Sequence, residues 1–129
     1  MYHQDWLMRQ IELVTRYVFS LLAGRGKELS SDIQLQARRQ TDGDASTLGF
    51  RLAALVRKNR IGEAENLLFA AVEEHNPEAL SAGLQLYRDL NALPDERLEQ
   101  GGFSREEILS GLKELCAACG YDLSILGIL

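Results

Sequence analysis

Between residues 48 and 77 apolar and polar positions alternate with a helical period. Leu48, Leu52, Leu55 and Val56 make one apolar stripe, and Ile61, Ala64, Leu68, Ala71 and Val72 make a second. A polar turn, residues 59–62, separates them. The pattern predicts a helical hairpin. Arg57, Lys58 and Arg60 place positive charge at the end of its first helix, and Glu63 and Glu65 place negative charge at the start of its second, both on the favourable side of the helix dipole. Asn76 followed by Pro77 predicts the next start, with asparagine as N-cap and proline at the first helical position.

The same period continues on both sides. A long first helix is expected over residues 5–23, capped by Asp5 and ended by Gly24 and Gly26. Leu7, Ile11, Val14, Val18 and Leu21 follow one another at steps of four, three, four and three, a heptad seam. Trp6, Leu13, Tyr17, Phe19 and Leu22 lie off that seam, so more than one face is apolar. One face is expected to pack on the central hairpin, and the seam residues are the candidate surface for self-association, a homodimer being the expected state. Residues 28–40 carry a weaker helical pattern, with Leu29, Ile33 and Ala37 on one face. Asp44 or Ser46 is expected to cap the helix that begins near residue 46.

Beyond the hairpin, Leu80, Leu84 and Tyr87 repeat the spacing of Leu48, Leu52 and Leu55 at an offset of 32, and Ile108, Leu112 and Leu115 repeat Ala64, Leu68 and Ala71 at an offset of 44. The two offsets predict a second hairpin, helices 77–91 and 104–119, with about twelve residues inserted near 93–102. Pro94 and the Gly101-Gly102 pair bracket a short helix there. Ser104 and Glu107 form a capping box, with Phe103 placed to staple Ile108, and Gly120 ends the last helix. The apolar tail, residues 123–129, is expected to fold back on the core. The expectation is one all-α domain of antiparallel helical hairpins with an N-terminal capping helix. Its segments are 1–24, 25–47, 48–76, 77–120 and 121–129.

Two resemblances bear on this reading. Ala64, Leu68 and Ala71 with the following proline resemble the second helix of a tetratricopeptide repeat. The Gly-aromatic pattern of that repeat's first helix is absent, so an ordinary hairpin in a small bundle stands beside it. The resemblance implies stacked hairpins. It does not imply capture of a peptide carboxylate, because the groove-lining positions fall on Gly49 and Ala53. Residues 5–12, DWLMRQIE, resemble the start of an uncharacterised family of small all-helical proteins from Gram-positive bacteria, which implies a helical fold and no known activity.

Composition narrows the classes. The chain of 129 residues is 46% hydrophobic and 26% charged, values of a globular protein with room for one core. No apolar run reaches membrane-spanning length, and no secretory signal is visible. Two cysteines without extracellular cues point to the cytoplasm. The net charge of −5 divides into +4 over residues 1–60 and −9 over residues 61–129. That balance argues against a general nucleic-acid binder, and a dipolar surface suits a protein partner or a second copy.

Candidate chemistry is sparse. Asp42, Gly43 and Asp44 lack the remaining ligands of a calcium loop. Cys116 and Cys119 form a CxxC at the end of a helix, where the dipole raises a thiol pKa; a redox site needs the opposite end. His3 and His75 are isolated, so no zinc set forms. The adjacent pairs Glu73-Glu74 and Glu106-Glu107 point about 100° apart on a helix and share no site. No cofactor, metal site or catalytic residue is expected. A non-enzymatic interaction or self-association module is the leading reading. The alternative is an enzyme or ligand-binding domain whose polar groups converge only in the fold.

Overall fold

A computed structural model describes residues 2–25, 47–121 and 123, and among them the chain forms six helices and no strand. They are α1 (Tyr2–Arg25), α2 (Leu48–Arg57), α3 (Ile61–Glu73), α4 (Ala79–Asn91), α5 (Asp95–Gln100) and α6 (Arg105–Ala118). The weak helix expected over 28–40, the caps expected at Asp44 or Ser46, and residues 124–129 of the apolar tail lie outside the described residues.

Helix ends follow local chemistry. Thr47 caps α2, its hydroxyl accepting from the Phe50 amide at 3.2 Å. Asn76 Oδ1 accepts from the Glu78 amide at 2.9 Å, so asparagine caps a first turn at Pro77 and Glu78 that precedes the regular part of α4. Ser104 and Glu107 close the expected capping box on α6. Asp5 does not cap α1, because the helix already begins at Tyr2 and Asp5 sits in its first turn; α1 also runs through Gly24. Four helices end in one way. After α2, α3, α5 and α6 a left-handed residue, Asn59, His75, Gly102 or Gly120, lets the next amide reach back to the carbonyl of Leu55, Ala71, Leu98 or Cys116. This is the Schellman termination. It turns the chain within two or three residues and sets the hairpins antiparallel.

Packing is centred on α4, which contacts α1, α2, α3 and α6. The α2–α3 hairpin lies on one side of it, and α1 with α6 on the other. Leu84, Tyr87 and Leu90 of α4 are fully buried, as are Leu52, Leu68, Leu112 and Leu115 around it. Gly83 permits the close approach: a Cβ there would fall 2.5 Å from Leu115 Cδ2 and 3.0 Å from Leu68 Cδ1. The contact of α2 with α4 is what a stacked pair of hairpins requires. The first helix departs from expectation, because its main contacts are α4 and α6, not the central hairpin. The offset repeat explains this: α4 and α6 of the second hairpin leave their outer faces apolar, and α1 covers them.

Two arginines, Arg97 in the inserted region and Arg105 at the start of α6, tie the layers together. Arg97 donates to the carbonyls of Val56 and Arg57, both at 3.3 Å, and so caps the end of α2. Arg105 is 3% exposed. Its guanidinium donates to the carbonyls of Asn91 at 3.2 Å and Leu93 at 2.8 Å, to Gln4 Oε1 at 3.4 Å and to the Asp95 carboxylate. One side chain therefore joins the end of α4, the start of α5 and the first turn of α1.

Between α3, α4 and α6, Tyr87 donates its hydroxyl to Glu65 Oε2 at 2.8 Å. Gly111 makes room for the pair, since a Cβ there would collide with both partners. Burial pushes the Glu65 carboxyl above the ordinary carboxylate range; the Tyr87 bond opposes the shift, and Glu107 and Glu114 add to it. Burial first, and then the Glu65 charge, pushes the Tyr87 hydroxyl far up, so it remains a donor.

Two predictions test this framework by urea denaturation. Arg105→Ala leaves the α4 carbonyls and Asp95 without a partner and opens a cavity, so it is expected to cost about 3 kcal/mol; Arg105→Lys recovers only part, because an ammonium lacks the fork. For Glu65 the folded pKa is raised, so its contribution is full at pH below the unfolded value and is lost as pH rises through the folded one. Glu65→Gln keeps an acceptor for Tyr87 and removes the buried charge. It is expected to raise stability at neutral pH by under about 1 kcal/mol, discounted for the carboxyl's solvent access, and to do nothing at pH 3.

Candidate functional site

The surface with most chemical content surrounds α1. Its inner face carries Leu7, Ile11, Val14 and Val18, exposed by 3%, 0%, 0% and 0%, with Leu21 half-buried at the far end. From Leu7 to Val18 the heptad seam is thus spent against α4 and α6 within one chain. A partner reaches these side chains only if α1 leaves its seat, and a charge at Val14 or Val18 tests folding, not association. Thr15 shares the inner face, its hydroxyl bonded back to the carbonyls of Ile11 and Glu12 at 3.1 and 3.0 Å. Asn91 Nδ2 donates to the Met8 carbonyl at 3.2 Å and anchors α1 to the end of α4.

The outer face is different. Trp6 and Leu13 are 48% and 43% exposed, and they are the exposed large hydrophobic side chains among the described residues. Seven residues apart, they lie on one row with half-buried Gln10 and Tyr17. Beside this row runs a second, Asp5, Arg9, Glu12 and Arg16, all exposed. These four form no ion pair with one another.

Along its flank toward α4, α1 borders a groove of about 690 Å³. Arg9 and Arg16 line it from α1 and Arg88 from α4, with Asp5 and Glu12 also at the rim. Thr15, Asn91, Met8 and Phe19 line it further in. Asn91 is 7% exposed, and its Oδ1 has no hydrogen-bond partner among the described residues. Three guanidinium groups against two carboxylates leave this groove positive in a chain of net charge −5.

Other sequence candidates carry less. Cys116 and Cys119 are free thiols at the end of α6. Burial pushes Cys116 up to about 11, with Cys119 adding, and burial also raises Cys119. No group of three or more metal-binding side chains occurs among the described residues. No described helix is long and apolar enough to cross a membrane. The apolar period does not single out Arg88, Asn91 and Arg105, because it marks only which positions are apolar; Asn91 in the last turn of α4 and Arg105 directly after a cap are the available signals.

The thiol positions predict slow chemistry. At pH 8 in the folded protein, Cys116 is expected to label with a maleimide at least tenfold more slowly than in urea, and Cys119 to an intermediate extent, because the thiolate is the reacting form. Labelling followed by intact mass checks this.

A model of a family of unknown function, DUF6483, matches residues 1–120. No curated protein and no solved structure matches the chain.

Proposed function

Because the chain belongs to this family of unknown function, its role has to be read from its own surface, and we propose that it is a non-enzymatic helical interaction module working through the outer face of α1. The observation that carries the reading is the Trp6–Leu13 row. Elsewhere among the described residues large apolar side chains are more deeply buried, while these two keep 48% and 43% of their surface exposed on a well-anchored helix. Aromatic and aliphatic side chains so placed act as interface anchors. Each contributes roughly 1.5–3 kcal/mol when buried. A second copy of the chain is the first partner to consider, since a two-fold contact doubles the anchors. The stacked hairpins, similar in spacing to tetratricopeptide repeats, serve in this reading as a rigid base for α1. The two free thiols suit a reducing, cytoplasmic setting.

A second reading rests on the groove between α1 and α4. Arg9, Arg16 and Arg88 above Thr15 and Asn91 suit an anionic ligand, and the volume is that of a small-molecule site.

The combined variant Trp6→Ala, Leu13→Ala separates the two. Both positions are off the core, so the urea midpoint is expected to hold. Sedimentation equilibrium is expected to show association weakened at least tenfold; unchanged association refutes the reading. Arg88→Ala removes a groove side chain away from the α1 outer face, so it leaves association intact, and it weakens anion binding if the groove is the working site.

A further inference from the structure

The charged row on α1 has a pattern that specifies how two copies meet. Asp5, Arg9, Glu12 and Arg16 read −, +, −, + along one exposed strip. A row of alternating sign pairs poorly with itself in parallel, where every residue faces its own copy and like meets like. Reversed, it is complementary. A two-fold axis perpendicular to α1 and passing between Gln10 and Ile11 sets Asp5 opposite Arg16 of the second copy and Arg9 opposite its Glu12. Such an axis also keeps flanks matched: the charged side of one helix meets the charged side of the other, and the apolar side meets the apolar side. The apolar row of Trp6, Gln10, Leu13 and Tyr17 is centred one residue further on, about 1.5 Å of rise away. One axis therefore serves both rows and brings Trp6 between Leu13 and Tyr17 of the second copy.

We propose that the protein forms an antiparallel, two-fold dimer through the outer face of α1, with the register fixed by the Asp5, Arg9, Glu12, Arg16 row. This rests on the interaction reading above and names its partner as a second copy of this chain. The division of labour follows from magnitudes. Exposed ion pairs add little affinity but discriminate between arrangements, and Trp6 and Leu13 supply the attraction. One helix pair of this length buries less than the roughly 1,200 Å² of a standard interface, so the dimer is weak and reversible. Its association falls with salt, because the pairs lie at a solvated rim. In the single chain the four charged residues make no ion pair with one another, so all four are available to the second copy.

The test is a charge swap in the full chain. One variant, Arg9→Glu with Arg16→Glu, makes the row all acidic; the other, Asp5→Arg with Glu12→Arg, makes it all basic. All four positions are exposed, and far-UV circular dichroism with the urea midpoint confirms that each variant is folded. Sedimentation at low salt is expected to show each variant alone associating at least tenfold more weakly than wild type. An equimolar mixture is expected to recover association at least as tight as wild type, as a heterodimer. If either variant alone associates like wild type, or the mixture is no tighter than its components, the register is overturned. Where Trp6→Ala, Leu13→Ala abolishes association while the charge variants keep it, the α1 face stands and the antiparallel register falls. A wild-type chain that stays monomeric at sub-millimolar concentration overturns the dimer itself, whatever the variants do.

Discussion

A single buried guanidinium holds the parts of this protein in register. Arg105 meets the carbonyls that end α4, the carboxylate that opens α5 and the amide of Gln4 in α1. Burying a cation away from water costs several kcal/mol unless its donors are filled. The partners of its two terminal nitrogens lie in or beside three helices, while Nε has none among the described residues, so the cost is offset most fully when all three helices are in position. This makes the end of α4, where α1 also takes its Asn91 anchor, the point on which the outer surface depends.

Helix content and most helix ends were legible in the sequence, because both are set locally. The 3.6-residue period marks the hairpins, and the Asn76-Pro77 pair, the Ser104–Glu107 box and Gly120 act within one turn of where they stand. The insertion was legible from arithmetic alone: two offsets that disagree by twelve residues require one, and α5 occupies it. What the sequence hides is the direction in which a doubly apolar helix faces. Leu7 to Val18 and the row of Trp6, Leu13 and Tyr17 both offer apolar side chains, and packing against α4 and α6 buries the more apolar of the two.

The same distinction governs the candidate site. Asp5, Arg9, Glu12 and Arg16 read as a solvated helix face, which they are. Their significance comes from the neighbouring row, and from Arg88, 72 residues further along the chain than Arg16. No local pattern connects α1 to α4. Likewise the Glu65–Tyr87 pair spans 22 residues, and Gly111 shows its purpose only when both partners are seen beside it.

The anchors of α1 have a consequence for biosynthesis. The hydrogen bonds that seat it, Asn91 to Met8 and Arg105 to Gln4, span 83 and 101 residues, whereas helices α2 to α6 pack largely on near neighbours in the chain. On the ribosome, α1 emerges before α4 and α6 and has no seat until both have been made and have left the exit tunnel. Through that interval Leu7, Ile11, Val14 and Val18 are without their cover. At 5–20 residues per second the interval is on the order of several seconds to tens of seconds, long compared with helix formation. Of the helices that form this core, the earliest to be synthesised is the last to be seated, and until then it presents to chaperones the sticky face that the folded protein conceals.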